Sequence, residues 1–435
     1  MSGGRPQRIL LVTQFFPPEA GAPQARLSAL AAAWASGGDA VTVLTGMPNY
    51  PTGVLPPEYR RAVRRRERRD GYRVVRTWLY ATPNEGVARK FLSHLSFMIS
   101  SVLLGGRACG RADTVVVSSS PFFSIGSAWM LARLKRARLV VEVRDLWPAI
   151  FVELGVLTNR RIIRVLERLE LAAYAAADQV VVVTDGFRAN LIARGVPADK
   201  VHTIRNGVEL DRFSPEQGAD LDSPGIRQER ARLGARPGDC LVLYAGTHGI
   251  SQGLPCVADA AAMLAGQAGL SPGDDALNPP RAVRVAFVGE GADKPRLERR
   301  VAELGLENVT LAPAVPQHQV PGLLAAADIC LLTLRDVPLF ASTIPSKMFE
   351  YLAAGKAVVG SVTGEAAQIL REAGAVVVPP EDARALADAI GALAADPARR
   401  AAMGQQGRAY VERFFDRAEL SKEYRKILDA PGGGW

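Results

Sequence analysis

The stretch DTVVVSSSPFFSIGSAWMLARLKRARLVVEV, residues 113–143, decides the fold class. Two short β-branched runs, 113–119 and 137–143, enclose one amphipathic segment, 122–136. Neither run alternates apolar with polar, so each predicts a strand covered on both faces. The segment between them predicts the crossover helix of a parallel pair. Working outward, the same unit recurs. Strand candidates stand at 8–14, 40–46, 72–78 and 179–184, then at 240–246, 283–289, 308–313, 328–334 and 356–361. Amphipathic segments at 22–36, 87–105 and 160–176 separate the first series. An α/β chain with doubly wound parallel sheets follows.

A chain of 435 residues exceeds one comfortable core, so two domains are expected. The Gly-, Pro- and Asp-rich segment 205–225 reads as their linker, and 270–281, of similar composition, as a surface loop. Ligands are expected in a cleft that the two domains face, beyond the carboxyl ends of the strands.

Composition is that of an ordinary globular protein, 48% hydrophobic and 22% charged. Cys109, Cys240, Cys256 and Cys330 are scattered and form no CxxC, so neither a disulfide framework nor a zinc site is expected, and a reducing cytoplasm fits. The amino-terminal apolar run is short for a signal peptide, and no run reaches the length of a membrane span.

Net charge is +9, but residues 1–190 carry +12 and residues 191–435 carry −3. Nine arginines fall between Arg60 and Arg76, which suits an anionic membrane surface. Nucleic acid is disfavoured, because aromatic interleaving is sparse and no binding motif accompanies the patch. His94, His202, His248 and His318 show no ligand spacing, so no metal and no cofactor is expected. No GxSxG or Ser-His-Asp series indicates a hydrolase.

The segment ASTIPSKMFEYLAAGKAVVG, 341–360, carries the candidate chemistry. Pro345 suits the first turn of a helix, whose free amides favour an anion. Lys347 adds a charge there, Glu350 lies one turn deeper, and Met348, Phe349 and Leu352 can face a core. A cation at a pyrophosphate and a carboxylate at ribose hydroxyls would fit a nucleotide; a plain surface ion pair would fit the same spacing.

IPSKMFEYLAAGKAVVG resembles the donor-binding helix of glycosyltransferase family 4, the retaining GT-B enzymes. Five further segments resemble that family in the same order: FFPPEAGAPQARLSALAAAWASGGDAVTVLTG (15–46), VVEVRDLWP (140–148), IRNGVELDRF (204–213), YAGTHGISQGL (244–254) and FVGEGADKPRLE (287–298). The resemblance implies two Rossmann-like domains: residues 1–205 for the acceptor and 206–413 for the nucleotide sugar, with a last helix in 414–435 packing back on the first.

The variants VRDLWP, YAG…QGL and IPSKMFEYLAAGK look like the branch that builds bacterial surface polysaccharide on polyprenyl carriers, which includes N-acetylfucosamine-type transferases. The implied reaction takes a sugar from a nucleoside-diphosphate donor, of UDP type, to a polyprenyl-diphosphate-linked acceptor. It would run in the cytoplasm, peripherally at the inner face of the membrane. Segment 90–106 would then either dock in the membrane interface or form a core helix. Two other readings stay open: a GT-B sugar-nucleotide 2-epimerase, and a non-catalytic nucleotide-sugar-binding subunit.

The family's pattern carries over residue by residue. Glu350 matches the second glutamate of an E-x7-E motif, the one on the donor ribose; the first falls on Ser342. The motif G-R-L-x-x-x-K-G aligns with residues 246–253, so Gly246 and Gly253 match while Thr247 and Gln252 replace its two diphosphate-binding cations. Lys347, with the amides of Ser346 and Lys347, is the expected substitute. Gly21 and His248 are expected near the donor, and Glu290 and Lys294 along its cleft. Arg144, held by Asp145 in a charge-assisted pair, is expected at an acceptor phosphate. Asn49 and Tyr50 are expected to border the acceptor.

Overall fold

Every β-branched run named above forms a strand. The structure is a computed structural model that describes residues 5–19, 21–50, 52–83, 86–153, 157–214, 223–267 and 282–429. The expected loop 270–281 lies outside these residues, as does 215–222 of the expected linker. The chain divides into two units: residues up to Asn206 together with those from Arg417 on, and Gly207–Asp416.

The first unit runs β1 (Arg8–Val12), α1 (Ala22–Ser36), β2 (Ala40–Gly46), β3 (Arg64–Arg69), β4 (Tyr72–Thr77), α2 (Val87–Ser100), β5 (Thr114–Ser118), α3 (Phe123–Lys135), β6 (Arg138–Val143), α4 (Ala149–Glu153), α5 (Arg160–Ala176), β7 (Gln179–Val182), α6 (Asp185–Ala193) and β8 (Val201–Thr203). A π-helical turn, Ser101–Gly105, extends α2. The sheet order is β3-β4-β2-β1-β5-β6-β7-β8. It is parallel except at its rim, where β3 pairs antiparallel with β4. The expected purely parallel sheet is thereby corrected: β3 is RRRERR, and a two-residue turn through Asp70 and Gly71 folds it straight back along β4. Five arginines on a rim strand leave it a poor template for another strand.

Right-handed crossovers put helices on a face set by the direction of the step. Chain segments β4-α2-β5, β5-α3-β6 and β6-α5-β7 all step the same way, so α2, α3 and α5 share one face, with α2 beside α3 and α3 beside α5. The step β1-α1-β2 runs the other way and places α1 opposite. Arg26 of α1 is buried and reaches Glu142 of β6 at 2.9 Å and the carbonyls of Ile204 and Arg205 at 3.1 and 2.9 Å. Such a pair ties helix to sheet and is costly to break from one side only. The last helix, α15 (Arg417–Asp429), packs beside α1: Tyr424 meets Trp34 edge-on at 5.4 Å, and Arg425 pairs with Asp39.

The second unit runs α7 (Pro224–Arg232), β9 (Cys240–Ala245), α8 (Leu254–Gln267), β10 (Val283–Val288), α9 (Lys294–Glu303), β11 (Val309–Ala312), α10 (Val320–Ala326), β12 (Ile329–Thr333), α11 (Lys347–Ala353), β13 (Ala357–Ser361), α12 (Gly364–Glu372), β14 (Val376–Val378), α13 (Ala383–Ala395) and α14 (Pro397–Phe414). Its six strands are all parallel, in the order β11-β10-β9-β12-β13-β14. Val242, Tyr244, Phe287, Leu331 and Val359 form the centre of its core beneath α8 and α13.

Candidate functional site

In the second unit the strand order turns back between β9 and β12, and ligands of doubly wound sheets sit at the carboxyl ends of such strands. The chain leaves β9 as Gly246-Thr247-His248; beyond β12 it makes a 3₁₀ turn, Pro338–Ser342, and enters α11. Met348, Phe349 and Leu352 are buried, as their spacing predicts.

Lys347 departs from its expected place on the helix surface. Its side chain folds across the end of β9, where Nζ donates to the Tyr244 hydroxyl at 2.6 Å and lies 3.9 Å from the ring centroid. A cation over a desolvated aromatic face is worth up to about 2 kcal/mol. The Tyr244 hydroxyl in turn donates to the Thr247 carbonyl at 2.8 Å. One helical turn on, Tyr351 fastens the same helix to the same strand: its hydroxyl donates to the Ala245 carbonyl at 2.9 Å and accepts from the Ala245 amide at 3.1 Å. Backbone conformation favours glycine at Gly246, and the Lys347 amine lies against it. Its φ is +136°, and a Cβ there would stand 2.7 Å from Lys347 Nζ.

Burial pushes Lys347 down to about 7, and the neighbouring Glu350 carboxylate acts in the opposite direction. The amine therefore titrates near neutrality. His248 is fully buried beside Tyr244 and Phe287, at ring distances of 5.8 and 6.4 Å. Neither of its ring nitrogens has a partner among the described residues. Burial, then Lys294 and Lys347, hold it at about 4, so the ring is neutral. The turn through Gly291 covers it; a Cβ on Gly291 would come within 2.2 Å of the His248 carbonyl.

The other expected donor-side residues are less free. Glu290 and Lys294 pair with one another at 2.6 Å. The Gln252 side-chain carbonyl accepts from the Gly249 amide at 3.0 Å and closes the turn before Gly253. Thr247 is exposed, and Ser342 and Ser346 are half-buried. Helix α11 has only seven residues, and beyond the Ser346 and Lys347 amides those of Met348 and Phe349 donate to the Pro345 and Ser346 carbonyls at 3.0 and 3.2 Å. A helix this short has a small macrodipole, so Lys347 itself is the main positive group.

In the first unit the order turns back between β1 and β5. Arg144, just past β6, has its Nη1 buried without a partner, and burial lowers its pKa. Its amide approaches Ser119 Oγ at 3.4 Å. Asp145 is exposed and accepts from Ser120 Oγ at 2.8 Å. The expected Arg144–Asp145 pair is absent among the described ion pairs: both residues lie in the bend beyond β6, where Asp145 is exposed and takes Ser120 as its partner.

Glu19 is a residue that the sequence reading missed. Its buried carboxylate accepts from the Phe16, Asn49 and Tyr50 amides at 3.0, 2.8 and 2.8 Å, tying together the loops after β1 and β2. Burial still raises its pKa against those three bonds. Asn49 is turned inward, its side-chain amide donating to the Met47 carbonyl at 3.0 Å. Tyr50 is presented outward, its ring 5.3 Å from Phe15. Gly21 precedes α1 in extended backbone, with the Gln24 side chain folded over it. Nearby, Phe122 stacks on Trp147 at 4.4 Å, and His94, held by Gln14 at 2.8 Å, stacks on Phe123.

A cavity of about 600 Å³ lined by Arg5, Arg8, Asp113 and Arg138 opens at the amino ends of β1, β5 and β6, the edge where such sheets do not place ligands. Among the described residues no three His, Cys, Asp or Glu stand together as a metal site.

Residues 21–207 match the model of the glycosyl transferase 4-like domain, and residues 225–410 that of glycosyl transferases group 1. The chain is 27% identical over 401 residues to WcaI of Escherichia coli K12, a glycosyl transferase named for colanic acid biosynthesis, covering 90% of this chain and 92% of that one. It is 32% identical over 242 residues to D-inositol 3-phosphate glycosyltransferase 1 of Catenulispora acidiphila, covering 54% and 53%. Among solved structures, sucrose-phosphate synthase of Thermosynechococcus elongatus superposes with a TM-score of 0.72 at 21% identity, covering 98% of this chain and all of that one. Anabaena HepE in complex with UDP and glucose superposes with a TM-score of 0.68 at 16% identity, with coverage of 98% and 100%.

Proposed function

The chain belongs to the glycosyltransferases of the GT-B fold, family 4, and we propose that it moves a sugar from a UDP-type donor, with retention, to a polyprenyl-diphosphate-linked acceptor. The product would be a bacterial surface polysaccharide, a reading supported by the full-length likeness to a protein named for colanic acid biosynthesis. The observation that carries the donor half is Lys347, folded onto Tyr244 at the switch point of a unit matched by the group 1 domain. UDP is favoured because structural neighbours have been solved with it bound.

In this reading Lys347 turns from Tyr244 to the diphosphate and neutralises charge as the bond from the sugar's anomeric carbon to phosphate oxygen breaks. Glu350 accepts from the ribose hydroxyls. The acceptor hydroxyl attacks from the face that the diphosphate leaves, and its proton passes to the departing diphosphate. Arg144 takes an acceptor phosphate oxygen on the nitrogen that has no partner among the described residues. Among the described residues no helix is long and apolar enough to cross a membrane, so the lipid-linked acceptor would be met by peripheral attachment to an anionic membrane surface.

The test is a panel of UDP-sugars, each with and without polyprenyl-diphosphate acceptors, analysed by mass spectrometry. A glycosylated lipid with one donor is expected, lost in Glu350→Ala. Epimerised donor formed without acceptor, or no UDP binding at all, would overturn the reading.

A further inference from the structure

Among the described residues eighteen large hydrophobic side chains are exposed, and all but Ile250 and Phe414 belong to the first unit. Nine of them stand on the single helical layer formed by α2 with its π turn, α3 and α5: Phe91, Leu92, Ile99 and Leu103, then Trp129 and Leu134, then Ile162, Val165 and Leu169. Soluble surfaces scatter such side chains, and clustering on one layer marks an interaction face.

The sharpest case is α5. Its Asn159 cap accepts from the Arg161 and Ile162 amides, which fixes where the helix begins. Glu170 and Tyr174 turn inward and bond each other at 2.9 Å, with Arg194 on the same carboxylate. At about 100° per residue, Ile162, Val165 and Leu169 line up beside that inward face rather than on it. They are 47, 54 and 53% exposed. Arg161, Arg164 and Arg168 form the next stripe round and are also exposed. The apolar arc of α5 therefore spans about 200°, roughly twice what packing onto one sheet requires. An arginine-flanked second stripe is the pattern of a helix lying in a headgroup layer, with guanidinium groups reaching phosphates. Trp129 on the adjoining helix, with Arg133 stacked 5.7 Å over its ring, repeats that pairing of aromatic and cation. At the other side of the layer Phe91 packs on Phe123 at 5.0 Å, which leads from the exposed apolar surface to the ring cluster near Arg144.

We infer that this layer, with α5 as its principal element, is where the enzyme docks on an anionic lipid bilayer; the inference rests on the lipid-linked acceptor proposed above. Charge selects the partner. A second copy meeting the same face would set the arginine stripe of one α5 against that of the other, whereas anionic headgroups complement it.

The test is co-sedimentation with phosphatidylcholine vesicles, with and without phosphatidylglycerol, at low and high salt. Binding that needs phosphatidylglycerol is expected. Replacing the apolar stripe (Ile162→Ser, Val165→Ser, Leu169→Ser) is expected to lower partitioning on the order of tenfold. Replacing the basic stripe (Arg161→Gln, Arg164→Gln, Arg168→Gln) is expected to lower it and flatten its salt dependence. Both sets change exposed positions and should leave UDP affinity, measured in parallel, unchanged. Wild-type partitioning by both variants would overturn the docking face, as would indifference of the wild type to phosphatidylglycerol. So would a dimer in sedimentation equilibrium that the apolar set dissolves. Loss of vesicle binding by the wild type with UDP affinity intact sinks the docking face alone; vesicle binding without UDP affinity sinks the donor reading alone.

Discussion

Lys347 in the second unit and Arg144 in the first each bring a half-buried cation to the carboxyl edge of a sheet, yet their surroundings differ. Lys347 has the hydroxyl and ring face of Tyr244. Arg144 keeps a nitrogen with no partner among the described residues. The chemistry of the two groups explains why both arrangements are tolerable. An amine can give up its proton, and burial brings Lys347 to about 7, so near neutrality it exchanges readily between charged and neutral forms. A guanidinium keeps its charge at any ordinary pH, so the cost at Arg144 persists until an anion arrives. One site is buffered and the other is held ready.

The largest effect expected from breaking this contrast is at Lys347. Lys347→Ala should lower kcat/KM on the order of 10²–10³-fold and weaken UDP binding, since no second cation of the usual motif remains. Lys347→Arg should restore little, because the broader fork would have to fit against the closely packed Gly246 and Tyr244. Steady-state kinetics with both substrates varied would show it; turnover equal to wild type in the alanine variant would end the comparison.

A middle effect is expected at Arg144. Arg144→Met should raise the acceptor KM on the order of tenfold or more while leaving the donor KM in place. Its folding stability should hold or rise by about 1 kcal/mol in urea titrations, since an unpaired buried charge is removed. A large loss of stability would show that the guanidinium is structural.

The smallest effect is in pH dependence. The free amine of Lys347 titrates at about 7, facing Tyr244, Glu350 and His248, and a bound diphosphate would raise its pKa. Binding then takes up a proton above about pH 7. UDP affinity should be level below that point and fall above it, by at most tenfold per pH unit. Lys347→Ala should abolish that component, which titration calorimetry in buffers of different ionisation enthalpy would read. His248, at about 4, stays neutral throughout the window. In the ligand-free protein the unfolded chain binds the extra proton between about 7 and the ordinary lysine value, so Lys347 makes stability rise with pH there.

Most of the fold was legible because parallel strands buried on both faces are unbroken β-branched runs. The strands that escaped notice show the limits of that signal. β3 consists wholly of charged residues, β8 is VHT, and β14 is only three valines. None has the length or apolarity to announce itself; each forms because a neighbouring strand offers a ladder. At the site, Lys347 and Glu350 could be picked out by position, but not where the amine points. Its partner, Tyr244, lies 103 residues away, and i,i+4 spacing alone places Lys347 and Tyr351 on one face without saying that β9 is what they face. Arg144 and Asp145 were paired on adjacency, whereas Asp145 takes Ser120, 25 residues away in the chain, as its partner. Glu19 had a signal, a lone acid in the apolar segment FFPPEAG, whose role depends on loop amides that only folding brings together.

The return of α15 to the first unit has a consequence for how the protein is made. Trp34 packs against Tyr424 and donates to the Ser421 carbonyl, and Asp39 waits for Arg425. Helix α1 thus remains uncovered along one side until α15 is translated. The second unit, an insertion in this sense, can mature first while its host is still incomplete.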